Sequence, residues 1–258
     1  MSSSSDESLY YMSLIFLNFT TLPTFITCHL ITAPYGRHVR SGWGPSFPSY
    51  LSWFLMESPT IFFSLLLFPY GRHVSSLPSL SLLFIFLIHY THRVFIYPLR
   101  LFRRRKTTSG IPITIVFIGF FFNLVNTYNQ IRWVSHYGEY VSDKWFWGRF
   151  SGGLVVFVYG MVVNVKSDLV LMGLKAQNGG YKIPKGGLFE VVSCPNYLGE
   201  ILEWLGWALM TWSWAGFGFL LYTCSNLVPR ARAHHKWYLE KFVEDYPKHR
   251  KAIIPFLY

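Results

Sequence analysis

Long runs of apolar residues alternate with short polar segments along the chain. Most of the runs hold about 17 to 25 residues with almost no charge, which is the length that a helix needs to cross the hydrocarbon layer of a membrane, and the last two are shorter. The runs lie at 9–31, 50–68, 77–99, 111–131, 150–171, 197–212 and 214–228. We therefore predict an all-α integral membrane protein, a bundle of about seven transmembrane helices that forms one domain over residues 1–258.

Composition and charge support this prediction and add an orientation. Charged residues make up only 14% of the 258-residue chain and hydrophobic residues 52%, which argues against a soluble domain. Most lysines and arginines lie in the loops that a seven-span arrangement places on one side, and in the segment after residue 229. Because cytosolic loops are enriched in these residues, we predict a lumenal N-terminus and a cytosolic C-terminus. The net charge of +11 then requires no nucleic acid.

The cysteines and the first residues bear on whether the protein has a metal site, a disulfide framework or a cleaved signal peptide. Cys28, Cys194 and Cys224 lack the spacing of a metal site, and three cysteines in apolar surroundings do not indicate a disulfide framework. We therefore expect no metal. Asp6 and Glu7 stand where a cleaved signal peptide has basic residues, so we expect the first apolar run to remain as a span.

Two polar side chains in the second and third spans are candidates for catalysis. Glu57 lies near the middle of its span, where an ionisable group is costly and is therefore a functional candidate. In an apolar pocket its carboxyl group stays protonated and can donate a hydrogen bond to a carbonyl oxygen. Tyr90 lies on a polar face with Arg93 and Tyr97 and can donate to the same oxygen. Two alternatives stay open: Glu57 pairs with Arg93 or His92 for packing alone, or this polar face marks the membrane interface.

A second group of polar residues lies at the ends of the later spans. Amide and carboxylate groups suit ribose hydroxyls or a carboxamide, lysine suits phosphate, and arginine offers phosphate two parallel donors. The spacing places Asn164, Asp168 and Lys175 on one helical face, Asn196, Glu200 and Glu203 on another, and Arg230, His234 and Tyr238 on a third. The chain has no GxGxxG or GxxxxGK[ST] motif, so a nucleotide site here is of neither common type. A basic helix on anionic lipid remains an alternative for the last group.

One hexapeptide occurs twice, at 34–39 and 69–74, without further repetition around it. In the first copy, Tyr35 lies near the predicted cytosolic mouth of the bundle, where it can contact a ligand. For Tyr70 in the second copy, we favour a simple turn at a helix end.

Several ordered segments, taken together, resemble the 3-oxo-5-alpha-steroid 4-dehydrogenases. They are 53–59, 89–93, 164–168, 181–189, 196–204 and 244–256. The resemblance runs from about residue 33 to 258, is greatest to the plant enzymes of brassinosteroid synthesis, and leaves a divergent first helix at 1–30. It implies a seven-helix bundle in the endoplasmic reticulum membrane. It also implies that NADPH reduces the 4,5 double bond of a 3-oxo-4-ene sterol, with hydride passing to carbon 5 and a proton to carbon 4.

The same resemblance implies roles for individual residues. Glu57 and Tyr90 match the family residues that hold the 3-ketone. Trp53 and Met56 are implied contacts of the sterol, and Met56 stands where animal members carry glutamine. The implied NADPH-binding residues are Tyr35, Arg104 from the basic run 103–105, Asn164, Asp168, Lys175 in place of a usual arginine, Asn196, Glu200, Trp204, Arg230, His234 and Tyr238.

Three other classes of function can be weighed against this one. Polyprenol and trans-2-enoyl-CoA reductases share a similar C-terminal half, but the pair Glu57 and Tyr90 favours a ketosteroid. Membrane di-iron enzymes need several clustered histidine boxes, and only the pairs 89/92 and 234/235 come near among nine histidines. A lipid transporter or lipid-binding scaffold would use the intramembrane acids as a path for protons or ions.

Overall fold

The computed structural model describes residues 3–104, 110–140, 142–175 and 180–258, and excludes the side chains of residues 3 and 175. The described chain is mostly helical and contains very little strand, so the predicted all-α class is confirmed. The helices are α1 (Ser3–Leu30), α2 (Ser49–Leu67), α3 (Leu77–Thr91), α4 (Tyr97–Arg103), α5 (Ile113–Arg132), α6 (Phe146–Lys175), α7 (Pro195–Thr211) and α8 (Trp214–Phe242). Two short antiparallel strands, β1 (Ser46–Phe47) and β2 (Ile111–Pro112), join the loops before α2 and α5.

Every predicted apolar run falls on a helix, but the ends differ. α6 begins at Phe146, before the predicted residue 150, and α8 continues through Pro229 to Phe242, well past the predicted residue 228. Among the described residues, four helical stretches are long and apolar enough to cross a membrane: Ser4–Leu30, Ser49–Tyr70, Leu77–Arg103 and Phe146–Leu174. The structure therefore has the character of a multi-pass membrane protein, and the crossing of all seven helical rods stays a prediction.

Local sequence explains how the rods begin and end. Ser76 caps α3 by accepting a hydrogen bond from the backbone N–H of Ser79, and Ser213 caps α8 in the same way through Gly216. Trp212, between α7 and α8, has a φ of 45°, the left-handed conformation that lets the chain reverse within two residues. This tight reversal accounts for two apolar runs that are almost continuous in sequence.

A π-helical turn, His92–Ile96, joins α3 to α4 so that they form one rod. Such a turn inserts one extra residue per turn and is frequent at functional sites. Apolar periodicity does not reveal it, because the residues on either side keep their helical pattern. A second π-helical turn, Trp133–Tyr137, follows α5.

Helices α6 and α7 pack closely through glycines spaced seven residues apart. A Cβ atom on Gly160 would lie 2.5 Å from the carbonyl oxygen of Gly199, and one on Gly206 would lie 2.5 Å from that of Gly153. Small residues at such positions let two backbones approach within a membrane. The contact brings the polar faces of α6 and α7 together.

Polar and apolar positions are distributed as a membrane protein requires. Large apolar side chains such as Phe62, Phe84 and Phe117 are exposed on the outside of the bundle. Inside, some polar groups satisfy one another: the Gln130 amide donates to the backbone oxygen of Ala215 at 2.8 Å, and the Trp207 indole donates to the Gln130 carbonyl oxygen at 2.8 Å. An apolar exterior of this extent is stable only when lipid covers it.

Candidate active site

A cavity of about 650 Å³ lies between the helices. It joins residues that are far apart in sequence, from α1 and the loop after it to the middle of α8. Most of the residues that sequence reasoning selected lie on its wall: Tyr35, Trp53, Met56, Glu57, Tyr90, Arg104, Asn164, Asp168, Asn196, Glu200, Trp204, Arg230 and His234. The two polar groups predicted separately therefore share one space.

Glu57 on α2 lies between the π-helical turn His92–Ile96 and α5. Its Oε2 lies 3.4 Å from the Asn123 amide nitrogen, and its Oε1 lies 3.5 Å from a guanidinium nitrogen of Arg93. The Asn123 amide makes its shorter bond, 2.8 Å, to the backbone oxygen of Met56. Both contacts of the carboxyl group are long for hydrogen bonds. They orient the group and leave it able to accept a hydrogen bond from a ligand or to donate one to it.

Tyr90 reaches the same cavity from α3. Its side chain is 2% exposed, and its ring lies 4.6 Å from the Phe86 ring and 5.7 Å from the Trp204 ring. The neighbouring polar residues His89, His92 and Arg93 are buried as well. The polar face of this rod therefore points into the bundle, as its sequence predicted, and its burial does not fit a face exposed at the membrane interface.

The alternative in which Glu57 serves packing is supported in part. Arg93 is within ion-pair distance of Glu57, whereas His92 lies 3.1 Å from Arg100 instead. The guanidinium carbon of Arg93 also lies 4.6 Å from the centre of the Trp53 ring and 5.1 Å from that of Tyr97. Arg93 is thus held against aromatic faces on the cavity wall, in line with the inward-facing polar face that the sequence pattern predicted.

Elsewhere on the cavity wall, α6 and α7 present a network of amide and carboxylate groups. The Asn164 amide donates to the backbone oxygen of Asn196 at 3.0 Å and lies 3.4 Å from Glu200 Oε2. The Asn196 amide in turn donates to Asp168 Oδ1 at 3.1 Å. A Cβ on Gly199 would lie 2.5 Å from the backbone nitrogen of Asn164, so this network depends on the glycine contact between the two helices.

The polar half of α8 and the loop after α1 supply the cations. Arg230 donates to the Tyr35 hydroxyl, and its guanidinium carbon lies 3.8 Å from the centre of the Tyr35 ring. His234 lies 3.0 Å from the Tyr197 hydroxyl on one side and 3.0 Å from His38 on the other. Burial, assisted by the nearby charges of Arg37 and Arg230, lowers the pKa of His38 to about 4.

Tyr238 does not reach the cavity wall, although it was predicted together with Arg230 and His234. It is buried behind Arg37, whose guanidinium donates to the Tyr238 hydroxyl at 3.1 Å. Arg37 lines the cavity and lies 4.6 Å from the centre of the Trp237 ring. Sequence reasoning chose Tyr35 from the repeated hexapeptide and missed Arg37, two residues further on, although both its charge and its place in the motif were available signals.

The remaining predicted positions have different outcomes. Lys175 ends α6, but its side chain lies outside the described part of the structure. Tyr70 is 75% exposed in a 3-10 turn, Phe68–Tyr70, at the end of α2, as the turn interpretation predicts. Within the described residues no cluster of three or more His, Cys, Asp or Glu side chains could hold a metal ion.

Comparison with known proteins identifies similar chains over almost the full length. The family model described as 3-oxo-5-alpha-steroid 4-dehydrogenase matches residues 109–258. The chain is 57% identical over 256 residues to steroid 5-alpha-reductase DET2 of Gossypium hirsutum, covering 98% of this chain and 99% of the relative. It is 57% identical over 258 residues to the protein of the same name in Arabidopsis thaliana, covering 98% of each. It is 41% identical over 256 residues to 3-oxo-5-alpha-steroid 4-dehydrogenase 1 of Mus musculus, covering 98% of each.

Proposed function

The chain belongs to the 3-oxo-5-alpha-steroid 4-dehydrogenase family, and we propose that it uses NADPH to reduce the 4,5 double bond of a 3-oxo-4-ene steroid in the cavity between its helices. The observation that carries this proposal is that Glu57 and Tyr90, on separate helices, line the same cavity as the polar groups of α6, α7 and α8. The part of the cavity wall around Glu57 and Tyr90 can hold a ketone, and the part formed by α6, α7 and α8 can hold a dinucleotide.

Glu57 and Tyr90 are the proposed ligands of the 3-ketone. When hydride adds to carbon 5, negative charge moves to the ketone oxygen, and donors aimed at that oxygen stabilise the enolate that forms. A buried acid and a buried phenol suit this role because neither has to be desolvated during the reaction. Arg93 and Asn123 hold Glu57 from two sides, and Trp53 and Met56 beside it are proposed to contact the sterol rings.

The other end of the cavity fits the groups of NADPH. The Nη1 atom of Arg37 and the Nε atom of Arg230 are buried without a hydrogen-bond partner among the described residues. These donors can bind the phosphate groups of NADPH. Asp168 and Glu200 can bind ribose hydroxyls, and Asn164 and Asn196 a hydroxyl or carboxamide. When bound, NADPH supplies the hydride. The cations near the wall also favour NADPH over NADH, since the former carries an additional phosphate.

The remaining predicted cofactor residues take supporting places in this proposal. Tyr35 and His234 hold Arg230 and the wall beside it, and Tyr238 orients Arg37 from behind. Trp204 lines the cavity and packs against Tyr90, so we place it where the steroid and the cofactor would meet. Arg104 lines the cavity, and Lys175 keeps its predicted role toward phosphate.

We further propose the membrane context of the reaction. Seven helical rods would cross the endoplasmic reticulum membrane, with the N-terminus in the lumen and the C-terminus in the cytosol, where NADPH is available. The names of the plant relatives support a role in sterol metabolism, and we propose brassinosteroid synthesis as the pathway. A sterol dissolved in the bilayer can reach such a site without entering water.

The proposed function is tested with membranes that contain the expressed protein. NADPH oxidation is followed with a 3-oxo-4-ene steroid, a polyprenol and a trans-2-enoyl-CoA, and the products are identified. We expect oxidation with the steroid alone, a 5α-reduced 3-oxosteroid as product, and slower turnover with NADH. Oxidation with either of the other substrates and none with the steroid would contradict the proposal. Membranes with the Glu57→Ala variant serve as the control for background reductases.

A further inference from the structure

A second carboxyl group lies behind the cavity wall, close to Tyr90. Glu203 on α7 has no exposed surface, and its Oε2 lies 2.6 Å from Nδ1 of His89. Its Oε1 has no hydrogen-bond partner among the residues that the structure describes. His89 itself lines the cavity, with its ring 4.9 Å from that of Tyr90 and 4.7 Å from that of Trp204. The pair thus connects the interior of the bundle to the ketone end of the site.

Burial decides which protonated form of this pair is stable. A carboxylate with one unpartnered oxygen is costly in a fully buried position, whereas the neutral acid leaves no net charge to compensate. In its acid form Glu203 donates its O–H to Nδ1 of His89. A neutral imidazole that accepts at Nδ1 carries its own hydrogen on Nε2. Nε2 is therefore a donor and is the ring nitrogen left for a ligand.

The two groups proposed to hold the ketone do not account for the proton that is added to carbon 4. Glu57 and Tyr90 donate to the oxygen, and a proton left on that oxygen gives an enol. Carbon 4 is adjacent to the ketone carbon and needs a donor of its own. His89 precedes Tyr90 in the chain and shares its wall of the cavity, so its ring is placed beside the same part of a bound steroid.

We propose that His89 and Glu203 form a proton relay that supplies the hydrogen taken up at carbon 4; this inference rests on the proposed function. After hydride addition to carbon 5, the negative charge on oxygen re-forms the C=O bond, and the electron pair between carbons 3 and 4 takes the hydrogen of Nε2. The electron pair of that N–H bond stays on the ring, and Nδ1 takes the proton of Glu203. The products are the 3-ketone, an imidazole protonated at Nδ1 and a Glu203 carboxylate. Before the next turnover Nε2 takes a proton from water and the proton on Nδ1 returns to Glu203, which restores the starting forms of both groups.

In this relay His89 is a catalytic residue, because it touches the substrate. Glu203 is a positioning residue that acts through it, fixing the imidazole tautomer and providing the proton. Trp204 follows Glu203 on α7 and packs against the His89 ring, so the rotamer of the imidazole is fixed from two sides. A bare packing role for the pair would require the hydrogen bond but no transferable proton.

The Glu203→Gln variant separates the two roles. Glutamine keeps the volume and an N–H donor to Nδ1, but it cannot release a proton. We expect kcat to fall by about 100-fold, the usual contribution of general acid catalysis, with NADPH affinity and steroid KM within about twofold of wild type. The solvent deuterium isotope effect on kcat should increase, because protonation at carbon becomes rate-limiting. Glu240→Gln, an exposed glutamate of α8, is the matched control and should behave as wild type.

Each outcome bears on the relay. Turnover of Glu203→Gln near the wild-type rate, with an unchanged solvent isotope effect, would show that the hydrogen bond alone matters and would overturn it. His89→Gln provides a second variant should Glu203→Gln not purify as a folded protein, and the same loss of kcat with an increased isotope effect is expected. A wild-type protein without activity on any 3-oxo-4-ene steroid would overturn the proposed function and the relay together.

Discussion

A guanidinium nitrogen of Arg93 lies 3.5 Å from Oε1 of Glu57, and the two side chains meet on the wall of the cavity. This contact is longer than an ordinary charge-assisted hydrogen bond, which measures about 2.8 Å. The contact orients the carboxyl group and leaves its hydrogen-bonding capacity available to a ligand. Glu57 therefore has two possible roles. Either its proton forms a hydrogen bond with a ligand, or the side chain only fills space and contacts Arg93.

Substitution of Glu57 distinguishes these roles. We expect Glu57→Ala to lower kcat by at least about tenfold, because one lost oxyanion donor usually costs about 3 kcal/mol of transition-state stabilisation. Glu57→Gln should weaken turnover less, since its amide can still donate, and should leave NADPH binding unchanged. Steady-state turnover and fluorescence titration with NADPH measure the two effects. Wild-type kcat in Glu57→Ala would leave only the packing role.

Tyr90→Phe removes a single hydroxyl group and keeps the ring contacts with Phe86 and Trp204. We expect kcat to fall by at least about tenfold while the thermal midpoint remains close to that of wild type. Phe86→Leu, which changes the packing of the same ring without touching the proposed donor, is the comparison variant. A larger loss of kcat in Phe86→Leu than in Tyr90→Phe would indicate that packing, and not the hydroxyl, is important.

Arg230 provides a test of the proposed cofactor end. Lysine keeps the charge but loses the planar fork and the stacking on Tyr35, so we expect Arg230→Lys to weaken NADPH binding by about tenfold. Arg232→Lys is the matched control because Arg232 lies on the same helix but is exposed and lies 2.8 Å from His29. Equilibrium titration of both variants measures the difference. Equal affinities for NADPH in both would argue against phosphate binding by Arg230.

The glycine contact between α6 and α7 predicts a stability effect. Gly160→Ala places a Cβ 2.5 Å from a backbone oxygen of α7, so the helices must separate, and we expect a loss of about 1 to 3 kcal/mol in the free energy of unfolding. Gly152→Ala is the control on the same helix, since its Cβ would meet nothing within 4 Å. Thermal unfolding in detergent compares the two. A lower midpoint for Gly152→Ala than for Gly160→Ala would contradict the observed packing.

The lowered pKa of His38 leads to a prediction of how the free energy of unfolding depends on pH. Its folded pKa is lowered to about 4, chiefly by burial, whereas the unfolded side chain titrates near 6.5. Between these values the unfolded chain binds more protons than the folded chain, so stability decreases as pH falls from about 6.5 to about 4. Replacing His38 with Asn removes this contribution. The thermal midpoint of the variant should depend less on pH in this interval, and an unchanged dependence would count against the account.

Sequence reasoning located the helices and many of the polar residues on the cavity wall because both follow from simple physical rules. Apolar runs of membrane length become helices, and an acid such as Glu57 within a run must be covered by protein. Glu57 and Tyr90 are therefore recognisable as candidates from the sequence alone. The helix ends were less accurate, since the polar half of α8 continues the helix without continuing the apolar run.

Contacts between helices could not be obtained from sequence in the same way. The π-helical turn His92–Ile96 changes the register of the rod, and no periodicity indicated it. The approach of Arg37 to Tyr238 joins residues about 200 positions apart, a distance that local patterns do not span. The same is true of His89 and Glu203, which were both noticed as polar residues but whose pairing depends on how α3 and α7 are placed.

The most direct test of the central claim measures the ketone itself. Difference infrared spectroscopy of a bound 3-oxo-4-ene steroid, labelled with ¹³C at carbon 3, reports the C=O stretching frequency in the site. Hydrogen bonds from Glu57 and Tyr90 weaken that bond, so the frequency should be lower in the wild-type protein than in an apolar solvent and should rise in Tyr90→Phe and Glu57→Ala. A wild-type frequency equal to that in the apolar solvent would contradict the claim that these two residues hold the ketone.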